Sequence, residues 1–119
     1  MINIQTIIKR VNDNINEVND ILSGDFIELD TLIDKWNIFK FEFLPLYDDL
    51  NLDDKKRWNE KVKNFEYELQ MNYLYLPLLT YKFKEIRVCL NEIICNHLRR
   101  KEKEKYFKMI EFLMKKFLI

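Results

Sequence analysis

Few residues in this chain have the chemistry to act on a substrate or hold an ion. The only histidine is His97, and the only cysteines are Cys89 and Cys95. Cys95 and His97 stand two residues apart in a helical pattern, hence on different faces, and no further soft ligand accompanies them, so a zinc site is not expected. His97 reads better as the neutral end of an apolar seam. Within a helix, Cys89 and Cys95 would have Cα atoms about 9 Å apart, beyond the roughly 7 Å limit of a disulfide. Buried, reduced thiols are the expectation.

Asp48-Asp49 and Asp53-Asp54 could flank a divalent cation, but carboxylates at a helix start are already stabilised by the helix dipole, and capping is the better reading. Arg99-Arg100-Lys101-Glu102-Lys103-Glu104-Lys105 is the one basic run. Its glutamates dilute it, and i,i+4 pairs such as Arg100–Glu104 suit a solvated helix better than a nucleic-acid contact.

Composition narrows the field further. The 119 residues include one Gly and two Pro, which excludes a phosphate-cradling loop or a dinucleotide fingerprint. No catalytic triad, metal site or cofactor is expected, and the chain reads as non-enzymatic. Hydrophobic residues make up 48% and charged residues 34%, which suits one globular domain spanning 1–119. Basic and acidic residues balance at 20 each, leaving no bulk charge to attract nucleic acid. The balance is uneven along the chain: residues 1–60 are acidic and residues 61–119 basic, so the two halves should attract. Met1-Ile2-Asn3-Ile4 does not resemble a secretory signal, and no apolar run reaches the roughly 18 residues of a membrane span. A cytoplasmic protein without membrane insertion is expected.

The elements that would position these residues are helical throughout. Ile4, Ile8, Val11, Ile15, Val18 and Leu22 step by three and four. Ser23-Gly24 should end this first helix with the glycine left-handed, and Asp25 with Glu28 should form a capping box for the next. The second helix presents Leu29, Leu32, Trp36, Phe39, Phe43, Leu46 and Leu50, and Pro45 should kink its last turn. A third series runs Trp58, Val62, Phe65, Leu69, Asn72, Leu76, Leu79, Phe83, Ile86, Leu90, Ile93 and His97 without a slip, through Pro77. The spacing predicts one long helix from about Asp53 to about Leu98, kinked at Pro77. A four-helix bundle broken at Pro77 is the alternative. The polar run at 99–105 should be a hinge, leading to a short amphipathic helix with Tyr106, Ile110, Leu113 and Phe117 on its apolar face.

The expected fold is therefore an all-α antiparallel bundle with a long third helix and a short last one. A groove for a partner helix would be lined by Trp36, Phe39 and Phe43 with Leu79, Phe83, Ile86 and Leu90. Tyr106, Ile110, Leu113 and Phe117 would cover that groove and yield it to the partner. Tyr67, Tyr73 and Tyr81 lie off the seam and suit a partner surface, since tyrosine anchors while tolerating water. A homodimer stays open as an assembly.

The order of features resembles the flagellar export chaperones of the FliT type. The matching elements are a polar first helix ending at Gly24-Asp25-Phe26, Leu29 and Leu32-Ile33 opening the second, a long third helix, and Arg99-Arg100-Lys101 leading into Tyr106. The resemblance implies a chaperone for the filament-cap protein whose last helix covers an apolar groove. A helical inhibitor or immunity-type protein, bound to a folded target, is the competing reading.

Overall fold

A computed structural model describes residues 3–71 and 75–117. Among these it contains four helices: α1 (Ile4–Leu22), α2 (Leu29–Asp48), α3 (Leu52–Gln70) and α4 (Leu76–Phe117). The all-α expectation holds.

The apolar stripes of the sequence become the core. Val11, Ile15, Val18 and Leu22 of α1 meet Leu32, Trp36, Phe39, Phe43 and Leu46 of α2. Trp58, Phe65 and Leu69 of α3 face Leu79, Phe83, Ile86, Leu90 and Ile93 of α4. Two antiparallel hairpins result, α1–α2 and α3–α4. The pairing is antiparallel across each: Lys35 bonds Glu17 at 3.0 Å, Arg57 bonds Glu92 at 2.9 Å and Lys61 bonds Glu85 at 3.5 Å. The hairpins are joined by rings. Trp36 lies 4.8 Å from Phe65 and Phe43 4.5 Å from Trp58, centroid to centroid. On the other side Arg87 donates to Asn19 Oδ1 at 3.0 Å, tying α4 to α1.

The helix boundaries correct the sequence reading in three places. The first is the long third helix. α3 ends at Gln70, Met71 leaves it with extended backbone (φ −66°, ψ 137°), and α4 returns alongside α3. The bundle broken near Pro77, the alternative, is the arrangement found. Proline has no N–H to donate and its ring clashes with the carbonyl four residues back, which disfavours a helix running unbroken through Pro77. Pro77 itself sits in the first turn of α4, where its missing N–H costs nothing. The continuous register across the break reflects two helices whose seams share one core. Pro77→Ala should therefore lower stability by up to about 1 kcal/mol by loosening the unfolded chain, where a mid-helix proline would have raised it. A denaturation midpoint distinguishes the two signs.

The second correction is the hinge at 99–105. α4 passes through it unbroken. Lys, Arg and Glu are good helix formers whatever face they occupy, and Lys101 pairs with Glu104 one turn on at 3.8 Å. A polar circumference leaves a helix without packing but does not end it.

The third is the α1–α2 turn. It spans residues 23–28, and Gly24 has no positive φ. The N-cap of α2 is Glu28, without a side-chain cap bond, in place of Asp25. Phe26 is 84% exposed, so nothing packs to hold an earlier first turn. At α3 the capping expectation holds for Asp53 and Asp54, which lie in the first turn while Asn51 Oδ1 accepts from the Asp54 N–H at 2.8 Å, whereas Asp48 and Asp49 close α2 and do not open a helix.

The consequence for function is one of length. α2 has 20 residues and α4 has 42. His97 Nδ1 lies 3.4 Å from Asp49 Oδ2, and Lys101 Nζ 3.9 Å from the same oxygen, so α4 reaches the end of the bundle near Lys101. Residues 102–117 project beyond it as an arm about 24 Å long, and the whole molecule is a rod of 70 × 24 × 19 Å.

Candidate protein-binding surface

Of residues 101–116, all are exposed except Ile110, which is half-buried. Six large apolar side chains stand open along the arm: Tyr106, Phe107, Met109, Phe112, Leu113 and Met114, between 42% and 65% exposed. Rings and thioethers in water at this density form the kind of patch that marks an interaction site. The arm holds its helix because the buried part of α4 supplies the nucleus, and because Glu104–Lys108 and Glu111–Lys115 have the favourable i,i+4 order.

This placement overturns the cover. Tyr106 and Leu113 do not lie over the bundle, Ile110 is screened only in part, and Phe117 is the last residue of the same projecting helix. Without a break at 99–105 the segment cannot fold back. The expected groove is closed for a different reason. Trp36, Phe39, Phe43, Leu79, Phe83, Ile86 and Leu90 are each 2% exposed or less, because the four helices bury them against one another. Sequence periodicity marks such residues as inward but cannot tell a closed core from an open groove.

Outside the arm, two exposed clusters stand out. On the outer face of α2, Ile38, Phe41 and Leu44 are 45%, 71% and 49% exposed. None of the three belongs to the 3-4 series that marks the inward face of the second helix. At the α3–α4 end, Tyr67 and Tyr81 are exposed beside Met71, Tyr75 and Leu76, which agrees with their expected position off the seam. Tyr73 lies outside the described residues.

A shallow cleft of about 360 Å³ runs between α3 and α4, bordered by Arg57, Lys61, Glu85 and Glu92 with Cys89 at its floor. Four of its charged side chains are already paired, Arg57 with Glu92 and Lys61 with Glu85. Burial pushes the Cys89 thiol up, away from the reactive thiolate. Cys95 is exposed, against the expectation of two buried thiols, because position 95 falls outside the α4 seam. Both cysteines are free. Among the described residues, no three His, Cys, Asp or Glu side chains gather as a metal would require, and no helix is long and apolar enough to cross a membrane.

His97 is 1% exposed and closes the α4 seam, as the sequence suggested. Burial lowers its basicity below the ordinary value of 6.5, with Asp49 partly opposing. A histidine kept neutral in the fold but free to protonate when unfolded favours the unfolded chain in acid. Stability should therefore fall as pH drops below about 6.5, and His97→Gln should flatten that dependence. Urea midpoints between about pH 7 and about pH 5 measure it.

No family model, curated protein or solved structure matches this chain.

Proposed function

We propose that this chain is a non-catalytic protein-binding module, a helical chaperone or adaptor, whose binding element is the C-terminal arm of α4. The observation that carries the reading is the arm itself: sixteen residues of helix beyond the bundle, with six large apolar side chains open to water. An amphipathic protein surface is the chemistry that fits such a helix, since the apolar arc pairs with an apolar partner and the lysines remain at its rim. The body acts as a handle. Its core is closed, and ion pairs such as Lys40–Glu66 and Arg57–Glu92 tie its own helices together.

Within this class, the resemblance to FliT-type chaperones points to an export client in the cytoplasm. That finer reading rests on the sequence alone, and the covering role of the last helix is not part of it. An inhibitor or immunity-type protein is favoured by a separate observation, the exposed Tyr67, Tyr75 and Tyr81 at the opposite end of the rod, which would suit a folded target.

Affinity capture separates the two. A partner held by the full chain and lost with Phe112→Asp plus Leu113→Asp places binding on the arm. A partner that survives this change and is lost with Tyr81→Ala places it at the aromatic end and rejects the arm.

A further inference from the structure

We infer that the arm's occupant is a second copy of this chain: each arm lies along the outer face of the other copy's α2, over Ile38, Phe41 and Leu44, in a reciprocal two-fold dimer. The inference rests on the arm being a binding element, and four features of the molecule lead to it.

The first is charge. The seat is bracketed by carboxylates, with Asp30 and Asp34 on the same face before it and Asp48 after it. The two lysines of α2 are already committed, Lys35 to Glu17 at 3.0 Å and Lys40 to Glu66 at 2.6 Å. Among the described residues Asp30, Asp34 and Asp48 make no ion pair. The arm has the opposite arrangement. Lys103 and Lys105 precede its apolar segment and Lys115 and Lys116 close it, and with Lys108 they outnumber the arm's glutamates, Glu102, Glu104 and Glu111. Apart from the contacts of Asp49 with His97 and Lys101, acidic residues of the first half and basic residues of the second form no ion pair among the described residues of one copy, and two copies would bring them together.

The second is spacing. From Lys103 to Lys116 is about 20 Å of helix, and from Asp34 to Asp48 about 21 Å. Both apolar segments lie inside those limits.

The third is direction and reach. Successive helices alternate, so α4 runs parallel to α2 within a chain. Two copies meeting at the ends from which their arms emerge place each arm antiparallel to the other's α2. Lys103 and Lys105 then approach Asp48, and Lys116 approaches Asp34. An arm of about 24 Å covers α2 back from Asp48 to about Leu32 and stops there. The arm cannot turn back onto its own α2, because α4 is unbroken.

The fourth is area. Six half-exposed arm side chains offer on the order of 600 Å². Two arms and two seats together exceed the roughly 1,200 Å² at which stable interfaces begin. Two-fold closure also leaves no arm free to propagate a filament.

Sedimentation equilibrium of the full chain tests this. The expected result is a dimer at about 10 μM protein, with its dissociation constant raised at least about tenfold by Phe41→Lys, an exposed site whose change leaves the fold intact. Lys105→Glu with Lys116→Glu should weaken the dimer to a similar degree, and adding Asp34→Lys with Asp48→Lys should restore it. A monomer at about 100 μM overturns the inference, as does a dimer indifferent to Phe41→Lys or a charge swap that fails to restore it. If such a monomer still loses a captured partner on Phe112→Asp plus Leu113→Asp, only the second-copy occupant has failed. If instead partner capture also ignores those changes, the binding role of the arm has failed with it.

Discussion

Trp36→Ala should cost about 3–5 kcal/mol and leave the protein largely unfolded at physiological temperature. Trp36 is 1% exposed and sits where the two hairpins meet, with its ring 5.3 Å from Phe39 and 4.8 Å from Phe65. Its indole N–H donates to Glu66 Oε2 at 3.1 Å, and Lys40 reaches the same oxygen at 2.6 Å. Removing the ring opens a cavity between α2 and α3 and takes one donor from Glu66, whose carboxylate is half-buried. The pair Trp36 and Phe65 also links the hairpins, so the loss is not confined to one helix. A residue that merely lined an open groove would cost far less. Circular dichroism during urea denaturation gives the number directly, and a loss below about 1 kcal/mol would mean that Trp36 faces a groove after all.

Phe112→Asp with Leu113→Asp should do the opposite. The residues are 65% and 42% exposed on a helix that touches nothing beyond Lys101, so intrinsic stability should change by less than about 0.5 kcal/mol. The partner-binding capacity should fall by two orders of magnitude or more, because two carboxylates would be driven into an apolar contact. Stability is measured on dilute protein, where self-association does not contribute. Taken together, the two variants separate a core that only holds the fold from an arm that only binds.

Much of this architecture was legible in the spacing of the apolar residues. The 3-4 stripes named nearly every buried position, from Val11 to Ile93, because inward-facing side chains must recur with the helical period. What the stripe could not give was chain direction. A helix that continues and a helix that reverses onto the same core leave similar periodic traces, and Leu69 to Leu76 has no glycine or polar turn to mark the reversal. Pro77 was the decisive signal, as a residue that opens α4 and not one that bends a longer helix. The arm was misplaced for a related reason. Arg99 to Lys105 lacks an apolar face, which signals the end of packing, yet its residue types favour continued helix. Reading those two properties separately turns the expected hinge and cover into a projecting arm. The exposed apolar patch on α2 was the least legible part, since Ile38, Phe41 and Leu44 resemble the flanks of any broad apolar face until the neighbouring helices are placed.

The claim that the arm is a binding element and no part of the core is tested most directly by ending the chain after Lys101. That cut keeps His97, Ile93 and the Lys101–Asp49 contact, and removes only residues that pack against nothing in the bundle. Thermal melting followed by circular dichroism is the measurement. The shortened protein should lose about a sixth of its helical signal and keep a single cooperative transition, within about 4 °C of the full chain under dilute conditions. Loss of the cooperative transition, or a fall in helicity well beyond the missing arm, would show that residues 102–117 hold the bundle together.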